Sequence, residues 1–345
     1  MEQPSTAQAP AGASAERRYP VEFTARTGEY FRIWIVNLAL SVVTLGIYSA
    51  WAKVRKRRYF YGHTRINGEG LEYRANPVAI LKGRIIAFAA IAVYYAAGHF
   101  APQYQLLLLV PLAIFGPWLL VRSLGFNAYN TAYRNVRFRF DGTYNGCLKI
   151  VLLFGWLTFT GILYPYFKHR LVRFVAENHR YGTTRFEVAD FKKPFIGAYA
   201  SAYGFALLLL AFFVASIFMM GRTRTPVLFF LAIVCFYGGL FVIFAYLRAR
   251  TVNAIWNAVR IGPLRFESAL SAGELIQVYL GNLLAIAFTL GLATPWAVVR
   301  SMRYRASKTT VVASGPLDGF AQAEAQHVSV AGEEVADFFD IDIAL

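Results

Sequence analysis

Charge is scarce in this chain, and acid is scarcer than base. Of 345 residues 16% are charged, with 19 Asp and Glu against 35 Lys and Arg; a soluble domain carries about a quarter charged residues. With 57% apolar residues and a mean hydropathy of +0.44, that shortage excludes an ordinary soluble fold. Two cysteines, Cys147 and Cys235, are too few for a disulfide framework or a cysteine zinc site. The five histidines, His63, His99, His169, His179 and His327, stand in no H-E-x-x-H spacing. No G-x-S-x-G elbow and no phosphate-binding G-x-x-x-x-G-K loop occurs. The chain is therefore expected to be no enzyme and to need no metal or cofactor. Its first eighteen residues, MEQPSTAQAPAGASAERR, lack an apolar core, so no cleavable signal peptide is expected and 1–20 read as a flexible tail.

What is present is long apolar runs, at about 30–50, 84–100, 104–121, 148–167, 196–220, 226–247 and 275–299. Roughly 20 apolar residues cross a bilayer core, so the sequence reads as an integral membrane protein. The net charge of +16 then belongs to membrane topology and anionic lipid headgroups on the cytoplasmic side, and nucleic acid is not expected as a partner.

One unit recurs. TLGIYSAWAKVRKRRY at 44 is answered by FTGILYPYFKHRLVRF at 159 and TLGLATPWAVVRSMRY at 289. Each places a Gly, then an aromatic (Trp51, Tyr166, Trp296), an Arg four residues on (Arg55, Arg170, Arg300) and a second cation three further (Arg58, Arg173, Arg303). Looser copies give Trp118 with Arg122 and Tyr246 with Arg250. An aromatic ring suits headgroup level, and an Arg one turn beyond reaches phosphate. These thirteen residues are the candidate interface and lipid-headgroup set. Gly46, Gly161 and Gly291 before the aromatic, and Pro117, Pro165 and Pro295 beside it, bend or break the helix there.

Seven ordinary spans would divide the cations 15 to 20 between the two sides, against the positive-inside tendency. If 30–50, 148–167 and 275–299 dip in and return, the division is 33 to 2. The expected fold is an all-α integral membrane protein with internal repeats, as four spans plus three re-entrant segments or as seven spans. Short cytoplasmic β-hairpins are expected at TRINGEGLEYRA, NVRFRFDG, RYGTTRFEVAD and VRIGPLRFES, with a weaker copy at YPVEFTART. The membrane domain is set at 21–305, and 306–345 reads as an acidic, disordered tail ending EEVADFFDIDIAL, available to a cytoplasmic protein partner.

GEYFRIWIVNLALSVVTLG and GELIQVYLGNLLAIAFTLG match at Glu29/Glu274, Asn37/Asn282 and Thr44/Thr289. Helix capping and interhelical hydrogen bonding account for such residues; facing each other, they would instead line a polar path. Two functions are open: a small-solute transporter or channel, or a non-transporting scaffold that binds anionic lipid or a cytoplasmic partner.

The stretch GEYFRIWIVNLALSVVTLGIYSAWAKVRKRRYFYGHTRING, with NTAYRNVRFRFDG and the ending FFDIDIAL, resembles the YjgN family of multi-pass bacterial inner-membrane proteins. The likeness runs from about residue 20 over nearly the whole chain. It implies a bacterial inner-membrane location and brings no activity, substrate or catalytic residue; cytoplasmic termini are expected from the re-entrant arrangement.

Overall fold

In a computed structural model, which describes residues 16–105, 107–158, 160–223 and 226–332, helix pairs alternate with β-hairpins. Strand β1 (Arg17–Phe23) leads into α1 (Thr27–Val43) and α2 (Ser49–Gly62), then the hairpin β2 (Thr64–Ile66) and β3 (Glu69–Tyr73). Next come α3 (Pro77–Phe100), the short α4 (Pro102–Gln105), α5 (Leu109–Tyr129) and the hairpin β4 (Thr131–Tyr133) and β5 (Val136–Phe140). Helix α6 (Tyr144–Phe154), a 3₁₀ turn (Gly155–Thr158) and α7 (Tyr164–Glu177) precede β6 (His179–Tyr181) and β7 (Thr184–Val188). The chain continues through α8 (Lys192–Thr223), α9 (Pro226–Trp256), β8 (Val259–Ile261), β9 (Leu264–Ser268), α10 (Ala272–Phe288), α11 (Thr294–Ser307), β10 (Thr309–Ala313) and α12 (Leu317–Gly332).

The ten strands pair antiparallel in one closed ring, β1-β10-β9-β8-β7-β6-β5-β4-β3-β2 and back to β1. Tight turns set the hairpins. At Asn67-Gly68 and Arg134-Asn135 both central residues have positive φ; at Gly182 and Gly262 only the first does. These are the two-residue turns whose twist suits a hairpin. Antiparallel pairing puts every helix pair on one rim of the ring and every hairpin turn on the other.

The all-α expectation, in either form, is overturned. The hairpins are not separate small elements but the staves of one barrel. Among the described residues, three helices are long and apolar enough to cross a bilayer: Pro77–Phe100, Lys192–Arg222 and Val227–Trp256. Hydropathy counts 30–50, 148–167 and 275–299 as one run each, yet each is cut by a turn. Helices α1, α6 and α10 are 17, 11 and 17 residues long, and the legs that return to the rim, α2, α7 and α11, have 14 each. Strand β10 and helix α12 occupy 309–332, inside the stretch read as a disordered tail. Its acidic end, 333–345, and its expected partner lie outside the described residues, as do 1–15 of the N-terminal tail.

The turn itself is written twice in the same residues. The Thr44 hydroxyl donates to the Leu40 carbonyl (2.7 Å) and accepts from the Tyr48 N–H (3.0 Å); Thr289 does the same with Ala285 (2.7 Å) and Ala293 (2.9 Å). Leu45 and Leu290 take φ of 50° and 51°, and Gly46 and Gly291 take 92° and 95°. The last value is one that side-chain-bearing residues avoid, which is why a Gly stands there.

Candidate functional site

Alternation along the strands decides what the ring encloses. Ile66, Leu71, Tyr133, Phe138, Tyr181, Phe186, Ile261, Leu264 and Val311 face the interior, while Arg65, Arg139, Arg185 and Arg260 are exposed on the outer wall. An eight-stranded ring is about wide enough for its own side chains to fill. Ten strands leave a cavity of about 650 Å³. Its roof is the returning helices: Tyr61 of α2, Leu120 and Asn127 of α5, Leu171 and Val175 of α7, and Ile255 and Trp256 of α9. Its floor, at the turn rim, is Leu317, Phe320 and Ala321 of α12.

Several polar groups in the lining are turned to the backbone, and Asn127 Oδ1 accepts from the Arg57 side chain. The Tyr133 hydroxyl donates to the Ile66 carbonyl (2.8 Å) and Tyr181 to the Tyr133 carbonyl (3.0 Å). Burial pushes both phenols above their ordinary range. The Thr131 hydroxyl donates to the Asn127 carbonyl (2.7 Å). His179 Nδ1 lies 2.6 Å from the Val175 carbonyl, and burial pushes its imidazole down, against the pull of that bond. Burial thus favours its neutral form. The described lining therefore presents no formal charge, and what fits it is an apolar chain or ring.

One carboxylate locks the floor. Glu324, only 4% exposed, accepts from the Thr183 N–H (2.7 Å), the Thr183 hydroxyl (3.0 Å) and, closely, the Thr184 hydroxyl. Asp318 pairs with Arg134 and accepts from Asn67 Nδ2 (3.0 Å). So α12 is pinned to three of the hairpins. Burial alone would raise the Glu324 pKa, but the Thr184 and Thr183 donors outweigh it and hold the carboxyl below the usual range. A carboxyl depressed in the folded state stabilises docking above its unfolded pKa and gives that up as pH falls through the folded one. Protection of the α12 amides against hydrogen exchange, taken relative to the intrinsic rate at each pH, is thus expected to be high at neutral pH and to fall below about pH 4, the ordinary carboxylate value. Glu324→Gln should flatten that acid limb; an unchanged profile in the variant would assign it to another group.

The sequence-chosen polar residues do not assemble into a path. Helices α1 and α10 both pack on α11 rather than on each other. Asn282 Nδ2 donates to the Ala297 carbonyl (3.1 Å) and the Ser301 hydroxyl (2.9 Å) of α11. Asn37 is buried with its Oδ1 unpartnered, and no hydrogen bond joins it to Asn282. Thr44 and Thr289 build turns. Glu29 accepts from the Tyr59 hydroxyl (3.1 Å) and Glu274 from Lys308 (3.0 Å).

In the aromatic-x-x-x-Arg units the two side chains stack on each other in three cases. Arg122 lies 5.7 Å from the Trp118 ring centre, Arg250 5.8 Å from Tyr246 and Arg300 5.1 Å from Trp296. Arg170 instead sits over Phe154 and Lys192 over Tyr166. Arg173 pairs with Glu177, and Arg303 donates to the Ala25 carbonyl (3.1 Å). No such contact involves Trp51 with Arg55 or Arg58. The cavity and its α12 floor are what sequence reasoning missed. The signal for the floor was present, as a short apolar strand and a helical stretch inside the presumed tail.

Comparisons with known proteins now bear on this geometry. The model of one family, described as bacterial protein of unknown function (DUF898), matches residues 18–338. The inner membrane protein YjgN of Salmonella typhimurium is 24% identical over 359 aligned positions, covering 86% of this chain and 88% of that protein. The inner membrane protein YjgN of Escherichia coli K12 is 33% identical over 138 positions, 39% of this chain and 32% of that one. No solved structure matches.

Proposed function

Since the chain belongs to the DUF898 family of bacterial proteins, and relatives along its length are named inner membrane proteins, we propose that it is a bacterial inner-membrane protein whose barrel holds the apolar chain of a membrane amphiphile. The observation that carries this is the uncharged cavity of about 650 Å³, within the roughly 300–1,000 Å³ typical of ligand pockets. Each methylene moved into it from water contributes about 0.8 kcal/mol. The chain crosses the bilayer more than once through its long helices, α3, α8 and α9 among them. Every helix pair leaves and rejoins one rim, so the barrel stands on a single face, and its arginine-studded wall favours the cytoplasmic one. Both described chain ends are at the barrel and share that face. Small-solute transport is the weaker reading, because Thr44 and Thr289 are committed to turns and Asn282 to α11.

The test fills the cavity. In purified, detergent-solubilised protein, Ala176→Phe, on the α7 roof, is expected to weaken binding of a fluorescent fatty acid about tenfold or more, the equivalent of roughly 1.4 kcal/mol. The variant's thermal unfolding serves as the folding check. Undiminished binding by a folded variant would place the chain elsewhere.

A further inference from the structure

This inference rests on the reading just given and concerns how the amphiphile's other end is held. Around the helix rim, neighbouring legs pack in sequence except at one place. Helix α3 packs on α2 and α5 packs on α6, but α3 and α5 meet only sparsely, at the barrel end, where Ile80 of α3 and Phe126 of α5 both rest on the buried cluster of Val54, Tyr73 and Ala75. Above that cluster the two helices leave a gap; Tyr61, which packs on the cluster, and Asn127, next to Phe126, are also in the cavity roof.

Its chemistry is one-signed. Helices α2, α3 and α5 carry eight Lys and Arg and no Asp or Glu; from Arg74 to Phe140 the sequence holds no acid at all. Three of these cations are gathered. Arg84 donates to the Ser49 hydroxyl, tying α3 to the start of α2. Arg57 donates to the Tyr73 hydroxyl (2.8 Å) and to Asn127 Oδ1, bridging α2 to α5 at the foot of the gap. The charges of both arginines bear on Lys53, one helical turn before Arg57. Neutral partners thus fix the two guanidiniums in place without discharging them. No carboxylate pairs with any of the three among the described residues. Holding like charges together costs free energy that a shared anion removes, and arginine forks suit phosphate oxygens.

We propose that Lys53, Arg57 and Arg84 form a phosphate site at the gap between α3 and α5, seating the phosphate of an anionic phospholipid whose acyl chain passes Tyr61 and Asn127 into the barrel. The gap is the side door through which the chain enters from the bilayer, and Arg57 is the sill between headgroup and cavity.

Binding to the purified full chain in neutral detergent tests this with three probes: phosphatidylglycerol, diacylglycerol of the same acyl chains, and inorganic phosphate. Phosphatidylglycerol is expected to bind about tenfold tighter than diacylglycerol, a preference that Lys53→Gln with Arg84→Gln removes. Arg185→Gln with Arg260→Gln, the same charge change on the outer wall, should keep it. Because Arg84 lies in an apolar helix, the exposed Lys53→Gln alone serves as the second variant, with about a threefold loss expected. Equal binding of the two lipids by the unaltered protein, or a preference that survives in both variants, overturns the phosphate site and leaves the chain-holding reading standing. Inorganic phosphate that displaces the lipid and binds the unaltered protein as tightly overturns the lipid assignment in favour of a free-phosphate site. If phosphatidylglycerol binding is weakened by the Lys53 and Arg84 variants but left unchanged by Ala176→Phe, the headgroup site survives and the chain-holding reading fails.

Discussion

A chain that stops at Lys308 is expected to lose its barrel, whereas one that stops at Ser314 keeps it. The difference is β10, whose two edges are both in use. Residues 310–313 pair with Arg17–Pro20 of β1, and 309–313 pair with Leu264–Ser268 of β9. Val311, Val312 and Ala313 are all buried. Stopping at Lys308 removes two ladders and a stave of the apolar wall, and it opens β1 and β9 together. Such a loss belongs with the largest seen for local changes, about 5 kcal/mol or more. Stopping at Ser314 removes only 315–345, α12 included, so the ring stays closed and the cavity loses its floor. Urea unfolding in mild detergent, with tryptophan fluorescence as the probe, separates the two. Equal midpoints for both truncations would mean that β10 does not close the ring.

Gly182→Val should have the next largest effect, at a distance from the substituted residue. Gly182 takes φ of 59°, and a Cβ there would lie 2.4 Å from Glu324 Oε2 and 3.0 Å from Val136 Cγ1. A left-handed conformation costs about 1–2 kcal/mol for a residue with a side chain, and more for a β-branched one. The clash adds to that by pushing on the carboxylate that pins α12. The variant is expected to lose about 3 kcal/mol in all and to expose α12 to protease while the hairpins stay protected. Gly46→Val is the comparison. Gly46 also takes a positive φ, 92°, but a Cβ there meets nothing within 4 Å, and its turn between α1 and α2 lies away from α12. Strain without expulsion should destabilise that variant and leave α12 docked. Identical proteolysis of the two would show that strain alone, rather than the Glu324 lock, governs the floor.

Much of the barrel can be read locally and almost none of its closure. Asn67-Gly68, Arg180 to Val188 and Val259 to Ser268 announce hairpins through alternation and turn residues, and the stretch from Tyr19 overlaps β1. What makes them a ring is pairing between β1 and β10 at opposite ends of the chain, for which no local pattern exists. Thr309–Ala313 is five residues of strand character beside an acidic stretch, so composition places it in a tail. The breaks at Gly46 and Gly291 were legible as breaks. Their neighbours Thr44 and Thr289 looked like a polar stripe because they recur seven residues after Asn37 and Asn282. They recur because the same turn is built twice. The cavity could not be read, since it is the space left between side chains from nine of the ten strands, four returning helices and α12. The cation cluster did have a signal in the sequence: an acid-free stretch from Arg74 to Phe140 beside the densest run of Lys and Arg.

The ring also governs how this protein can meet others. An open sheet offers its outer strand's unpaired N–H and C=O groups as a template, and short apolar strands with such edges are aggregation-prone. Here every strand has two neighbours. A second copy, or an extended peptide, finds no backbone to extend. Self-association and recruitment are therefore left to side chains, those of the arginine-bearing wall, the lipid-facing helices and α12. Strand exchange between copies would first require tearing β10 from β1.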